Sequence, residues 1–282
     1  MIAVVDYQKG NLKSVERGLI AASGEALITA DASKIAKADA IVLPGVGAFA
    51  DAAATMCELG QMEAIRDRVR AGVPFLGICL GEHLMFEHGV EGAPEGNPAC
   101  GLGLLPGTVV AMPRCDAQGK AFKVPHVGWN TIEIPVCGGS AAVPPCGEGG
   151  GNAVLLSGGA GGGAARSSAA KRGLFEHGAF PGSAPQVGSE LAFPDSTPQL
   201  GSNLAFACPL FDGIAPGEYF YFTHSYIAPT GSHTIAETTH SVRFTSAVQF
   251  GERAFGVQFH PEKSSDAGAR VLANFVAIAA RG

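Results

Sequence analysis

The stretch "FLGICLGEHLMF", residues 75–86, places one cysteine, Cys79, between Gly77 and Gly81. An apolar run, "PFLGI" (74–78), leads into it and an amphipathic run, "LGEHLMFEH", leads away. The first reads as a buried strand and the second as the start of a helix, so Cys79 falls on the turn between them. Glycines on both sides tolerate the dihedrals and close approach that a sharp turn requires.

Outward from this turn the pattern repeats. "IAVV" (2–5) precedes "NLKSVERGLIAA", where Leu12, Val15 and Leu19 recur at helical spacing. "AIVL" (40–43) precedes a long helical stretch from about Ala48 to Arg70, which leads into the Cys79 strand. Short apolar strands alternating with helices predict an α/β fold: an open, mostly parallel sheet with helices on both faces. Near the C-terminus, "YFYF" (219–222), "SAVQF" (246–250) and "AFGVQF" (254–259) are closely spaced, which predicts an antiparallel extension. The helix "AGARVLANFVAIAA" closes the chain.

Residues 137–207 differ in kind. They are crowded with Gly, Ala, Ser and Pro, and "PQVGSELAF" (185–193) returns as "PQLGSNLAF" (198–206). Two copies are too few for a solenoid. The expectation is one domain over residues 1–282, interrupted by a low-complexity, mobile insertion at about 137–207.

Composition narrows the function. A net charge of −6 without a Lys/Arg-rich patch argues against nucleic acid as a partner. No apolar run of about 18 residues predicts a membrane span, and the N-terminus has no basic region ahead of its apolar run. The seven cysteines are scattered, odd in number and never in a CxxC pair. That usage fits a reducing, cytoplasmic setting and predicts neither disulfides nor a metal site.

The Cys79 turn therefore invites a chemical reading. Strand, sharp turn and helix form the nucleophile elbow of G-x-S-x-G hydrolases, written here G-I-C-L-G. A helix N-terminus favours thiolate over thiol. A lone cysteine is more often a small buried hydrophobe, but the glycine bracket sets Cys79 apart from the other six. In "GVQFHPEKSS" (256–265), His260 and Glu262 are two apart, so an extended segment projects both to one side. His260 then shuttles protons while Glu262 fixes its tautomer. "LPGVGAF" (43–49) ends a neighbouring strand, and the N–H groups of Gly45, Val46, Gly47 and Leu80 are candidates for an oxyanion hole. Judged alone, that stretch reads equally well as a plain glycine turn.

"GICLG", "PGVG" and "FHPEKSS" together resemble the class I glutamine amidotransferases, the triad glutaminases. "VPHVGWN" (124–130), "YFTHSY" (221–226) and "DYQKGNLKSV" (6–15) narrow the resemblance to the glutaminase subunits of imidazole glycerol phosphate synthases. The likeness spans the chain outside the insertion. It implies that Cys79 attacks the glutamine side-chain amide, with His260 and Glu262 completing the triad and no cofactor taking part. It implies contacts to glutamine from Gly81, His83 and Glu91. It also implies ammonia delivery to a cyclase partner, a (β/α)8 barrel that makes imidazole glycerol phosphate and an aminoimidazole carboxamide ribotide. Trp129, Tyr221 and Lys263 match positions facing that barrel.

One pair departs from the pattern. Where the family reads Met-Gln after the elbow, this chain has Glu82 and His83. A carboxylate one turn from a thiolate opposes its ionisation if it points inward. Two alternatives stay open: a subunit that keeps the partner surface but hydrolyses glutamine poorly, and a glutaminase serving another synthase.

Overall fold

The computed structural model describes residues 1–134 and 208–281. The expected insertion and its thirteen-residue repeat lie outside the described residues. The chain begins with β1 (Ile2–Val5), α1 (Leu12–Ala21), β2 (Ala26–Thr29), α2 (Ala32–Ile35) and β3 (Ala40–Gly45). Then come α3 (Phe49–Glu58), α4 (Gln61–Arg70), β4 (Phe75–Cys79) and α5 (Leu80–His83). Strands β5 (Phe86–Gly89), β6 (Ala99–Cys100), β7 (Leu105–Ala111) and β8 (His126–Thr131) follow. The C-terminal part holds β9 (Tyr219–His224), β10 (Tyr226–Ile227), β11 (Thr234–Thr239), β12 (Arg243–Phe250), β13 (Ala254–Val257) and α6 (Ser265–Ala280).

Seven strands form the main sheet in the order β11-β12-β13-β4-β3-β1-β2. The run from β2 to β13 is parallel, while β12 and β11 add to it antiparallel. This is the predicted architecture. Alternation along each strand feeds two cores. Ile2, Val4, Val42, Leu76 and Ile78 face α1 and α6, whereas Ala3, Val5, Ile41, Leu43 and Phe75 face α3 and α4. Among the described residues, no helix is long and apolar enough to cross a membrane.

The details depart from the sequence reading in three places. The helical stretch from Ala48 to Arg70 is two helices, because Gly60 adopts φ 67° and ends the first run. The helix after the elbow is a single turn, and "FEHG" then becomes β5. "YFYF" is not an extension of the main sheet. It lies in β9, which pairs in antiparallel register with β8 as a separate two-stranded unit, from His126 opposite His224 to Thr131 opposite Tyr219. Phe220 and Phe222 point into the core, and Tyr219 stands in solvent.

What positions the site is the placement of β13 beside β4. Val257 is the register partner of Ile78, so both strands end at the same level. Cys79, the last residue of β4, and His260, three residues past β13, meet at the carboxyl edge of the sheet, where parallel α/β folds gather their ligands.

Candidate active site

Cys79 sits at φ 54°, ψ −105°, a conformation an L-residue adopts only when its surroundings enforce it, at a cost on the order of 1–3 kcal/mol. Strand alternation would send its side chain to the Phe75 face. The turn instead brings it to the side of Leu76 and Ile78. The glycines make this possible by close packing. A β-carbon on Gly77 would overlap the Gly81 carbonyl, and one on Gly81 would overlap the Leu43 carbonyl. A one-turn helix has little macrodipole, so the expected help from a helix N-terminus is small and the charge partner is His260.

His260 follows β13 in extended conformation, and Pro261 starts a short 3-10 turn through Lys263. That turn, rather than a strand pleat, lets His260 Nδ1–H donate to Glu262 Oε1 at 2.9 Å. Both side chains are buried. The backbone is pinned as well: His260 N–H donates to the Tyr221 carbonyl (2.9 Å), and Ser264 Oγ–H to the His260 carbonyl (2.6 Å). Burial alone would lower the His260 pKa. Hydrogen bonding to the Cys79 sulfur and to Glu262 outweighs it and lifts His260 to about 9. Among the described residues, Nε2 is buried without a partner in standard hydrogen-bond geometry, so its interaction with the sulfur is loose.

Sequence reasoning missed Gln258. Its Nε2 lies 3.7 Å from Cys79 Sγ, and its Oε1 lies 2.7 Å from His83 Nε2. The available signal was position: in the extended "QFH", residues 258 and 260 face the same side. His83 lines the cavity, but its Nε2 is engaged by Gln258 and only Nδ1 remains. Burial drives its pKa down to about 4 against the Gln258 bond, so the ring is neutral. Glu82 does point inward, but burial, then the nearby Cys79 charge, push its pKa well above the carboxylate range. Among the described residues, neither carboxyl oxygen has a hydrogen-bond partner. Burial thus favours the neutral form of the carboxyl that was expected to oppose the thiolate.

A cavity of about 380 Å³ opens in front of the cysteine. Val46, Gly47, Leu80, Glu91 and His224 line it with Cys79 and His83. Gly45 is the register partner of Cys79 and packs on the Tyr7 hydroxyl; neither Gly45 nor Gly81 is in the lining. Burial, then the Cys79 charge, raise the Tyr7 pKa, while the Val46 amide facing its oxygen lowers it. Glu91 is half-buried and its pKa is raised, first by that burial. A larger groove of about 600 Å³ lies at the opposite, amino ends of the strands, between Asp39, Arg68 and Arg253, and among the described residues its lining holds no cysteine or histidine.

Behind the cavity, His224 Nδ1–H donates to the Tyr226 carbonyl (2.8 Å), so its Nε2 accepts from His126 Nδ1–H (3.1 Å). Desolvation keeps both rings neutral, His126 down to about 4. On the outer face of the β8–β9 pair, Trp129 stands opposite Tyr221 with ring centroids 6.1 Å apart, and Lys263 Nζ lies 5.9 Å from the Tyr221 ring. The structure thus brings these three together, apart from the cavity lining.

Comparison with known proteins shows the family. Residues 18–132 match the CobB/CobQ-like glutamine amidotransferase domain, and residues 184–279 match glutamine amidotransferase class-I. The imidazole glycerol phosphate synthase subunit HisH of Moorella thermoacetica is 34% identical over 97% of this chain and 93% of its own length. Its counterpart in Rhodopirellula baltica is 33% identical over 98% of this chain and 96% of its own. A crystal structure of a glutamine amidotransferase shares the fold at a TM-score of 0.56 and 15% identity, covering 99% of this chain and 98% of that one. PurLQS from Thermotoga maritima does so at 0.53 and 14%, covering 98% and 97%. The chain belongs to the HisH subunits of imidazole glycerol phosphate synthase, within the class I glutamine amidotransferases.

Proposed function

We propose that this chain is a glutaminase subunit that hydrolyses glutamine at Cys79 and hands the ammonia to a (β/α)8-barrel cyclase, which makes imidazole glycerol phosphate and an aminoimidazole carboxamide ribotide. It works as one domain over residues 1–282, in the cytoplasm. The observation that carries the reading is the meeting of Cys79 and His260 at the ends of adjacent strands, with Glu262 on His260 Nδ1.

The chemistry runs in two halves. The Cys79 sulfur attacks the side-chain amide carbon, and the oxyanion is held by the N–H of Leu80 and by the Val46–Gly47 turn that lines the cavity. Protonated His260 gives its Nε2 proton to the departing nitrogen, so ammonia leaves and a glutamyl thioester remains. The same imidazole, now neutral, takes a proton from water. Hydroxide adds to the thioester, the C–S bond breaks, and glutamate departs. Glu262 holds the ring and stabilises its charged form. Glu91 and the free Nδ1 of His83 face the cavity where glutamine binds.

The test is glutamine hydrolysis with and without the barrel partner and its nucleotide ligand. Cys79→Ala should abolish it, while the complex still turns over on ammonium salts. Hydrolysis surviving the substitution would overturn the mechanism. A second reading, a partner-binding subunit that hydrolyses glutamine poorly, draws support from His83 spending its Nε2 on Gln258. It predicts ammonium-dependent turnover with little glutamine-dependent turnover.

A further inference from the structure

We propose that Gln258 is a positioning residue for the Cys79 nucleophile, and that His83 keeps its amide N–H aimed at the sulfur. The catalytic consequence rests on the glutaminase reading above; the geometry does not.

The three groups are buried: Gln258 is 0%, His83 3% and Cys79 7% exposed, with Cys79 and His83 reached from the cavity. A primary amide has one donor end and one acceptor end. Turned as it is, Gln258 donates to Sγ at 3.7 Å and accepts from His83 Nε2 at 2.7 Å. Flipped, it would set its carbonyl oxygen against a thiolate, two negative ends together. The partner that prevents the flip is His83, provided Nε2 carries the proton. With Nε2 bare, its lone pair would oppose the Gln258 oxygen. Burial keeps the ring neutral down to about pH 4, so one N–H and one bare nitrogen persist through the working range. The chain His83 to Gln258 to Cys79 therefore has a single consistent proton arrangement.

Gln258 is well anchored for this task. Its backbone N–H donates to the Ser246 carbonyl at 3.0 Å, and Phe259 locks the next position into the core against Phe220. Gln258 and His260 lie two residues apart in one short segment, so that segment brings two groups to the same sulfur. His260 titrates and Gln258 does not. The other titratable groups acting on Cys79 are Glu82 and Tyr7, and each, if charged, would oppose a thiolate. A permanent neutral donor stabilises the charged sulfur without itself changing protonation, and it fixes the direction in which a lone pair points.

The experiment alkylates Cys79 in the purified full-length protein with iodoacetamide across pH 5.5 to 9.5, following modification of that cysteine by peptide mass spectrometry. Glutamine turnover plays no part, so failure here is distinct from failure of the glutaminase reading. Gln258→Leu should slow Cys79 alkylation at pH 7 by roughly three- to tenfold, the worth of one hydrogen bond to the reacting group, and move the profile to higher pH. His83→Leu should slow it partly, and His83→Gln, which restores an N–H donor, should recover it. Should Gln258→Leu fail to fold, Gln258→Met, close in volume and shape, carries the same expectation. A Gln258 variant with native unfolding and an unchanged alkylation profile would overturn the proposal. So would His83→Leu and His83→Gln behaving alike.

Discussion

Gly81 lies against the carbonyl oxygen of Leu43, with no room for a β-carbon between them. The contact joins the first turn after Cys79 to the strand that ends in the candidate oxyanion segment. Gly81→Ala should therefore destabilise the protein by at least about 3 kcal/mol, the upper part of the overpacking range, because a backbone carbonyl in a central strand cannot move aside. Urea unfolding of the purified variant measures this. Near-native stability would mean that the elbow can shift as a unit.

Glu82 makes an opposite claim on stability. Its carboxyl is neutral in the fold and ionises freely in the unfolded chain. The folded state then holds the extra proton above the ordinary carboxylate pKa, so stability falls as pH rises from about 4.5 toward the elevated folded value. Glu82→Gln removes the titration and keeps the volume. The variant should melt higher than the parent at pH 7 to 8, and the gap should shrink toward pH 4.5. A gap independent of pH would show that the buried carboxyl does not titrate as assigned.

His260 sets the alkaline limit. A base raised from 6.5 to about 9 contributes stability in full below pH 6.5 and loses it as pH rises through 9. In the proposed mechanism the same proton is given to departing ammonia. Glutamine hydrolysis by the complex should decline above about pH 9, and Glu262→Gln should bring that decline to lower pH, since the carboxylate helps hold the proton. A limb that stays at pH 9 in the variant would assign the titration to another group.

These expectations show what the sequence could and could not disclose. The parallel sheet was legible because "IAVV", "AIVL" and "PFLGI" are uniformly apolar and spaced by helices, and burial on both faces demands such runs. The sharp turn at Cys79 and the pairing of His260 with Glu262 were legible because glycine and proline write backbone geometry directly into the chain. The fate of "YFYF" was not, since its alternation fits a strand in any sheet, and only pairing with His126–Thr131 decides which. Gln258 was passed over because its role depends on where β13 sits relative to β4, a contact between residues 179 apart. Neutral Glu82 was hidden for a similar reason: the sequence gives the carboxyl, but Gly256, whose missing β-carbon makes room for the Glu82 side chain, lies on a distant strand.

Trp129 separates the fold from the assembly. It is 51% exposed, though a large aromatic at the middle of a strand usually buries itself. Val127 and Tyr219 share its outward face at 56% and 57% exposure, and Lys263 places a cation beside Tyr221. Aromatic side chains held rigid on a strand pair, with a cation beside them, have the composition of an interface centre. Trp129→Ala should leave the isolated protein within about 0.5 kcal/mol of its parent in stability, as for other solvent-facing positions. It should weaken binding to the proposed barrel partner by at least about 30-fold, the hot-spot threshold of roughly 2 kcal/mol. Lys263→Ala should cost less, because its contact with the Tyr221 ring is long and half in water. Titration calorimetry against the partner, beside thermal unfolding of each variant alone, distinguishes the cases. A Trp129→Ala protein that binds normally would place the partner on another face. One that unfolds early would make Trp129 part of the fold, and the outward face of the β8–β9 pair would then need a different occupant.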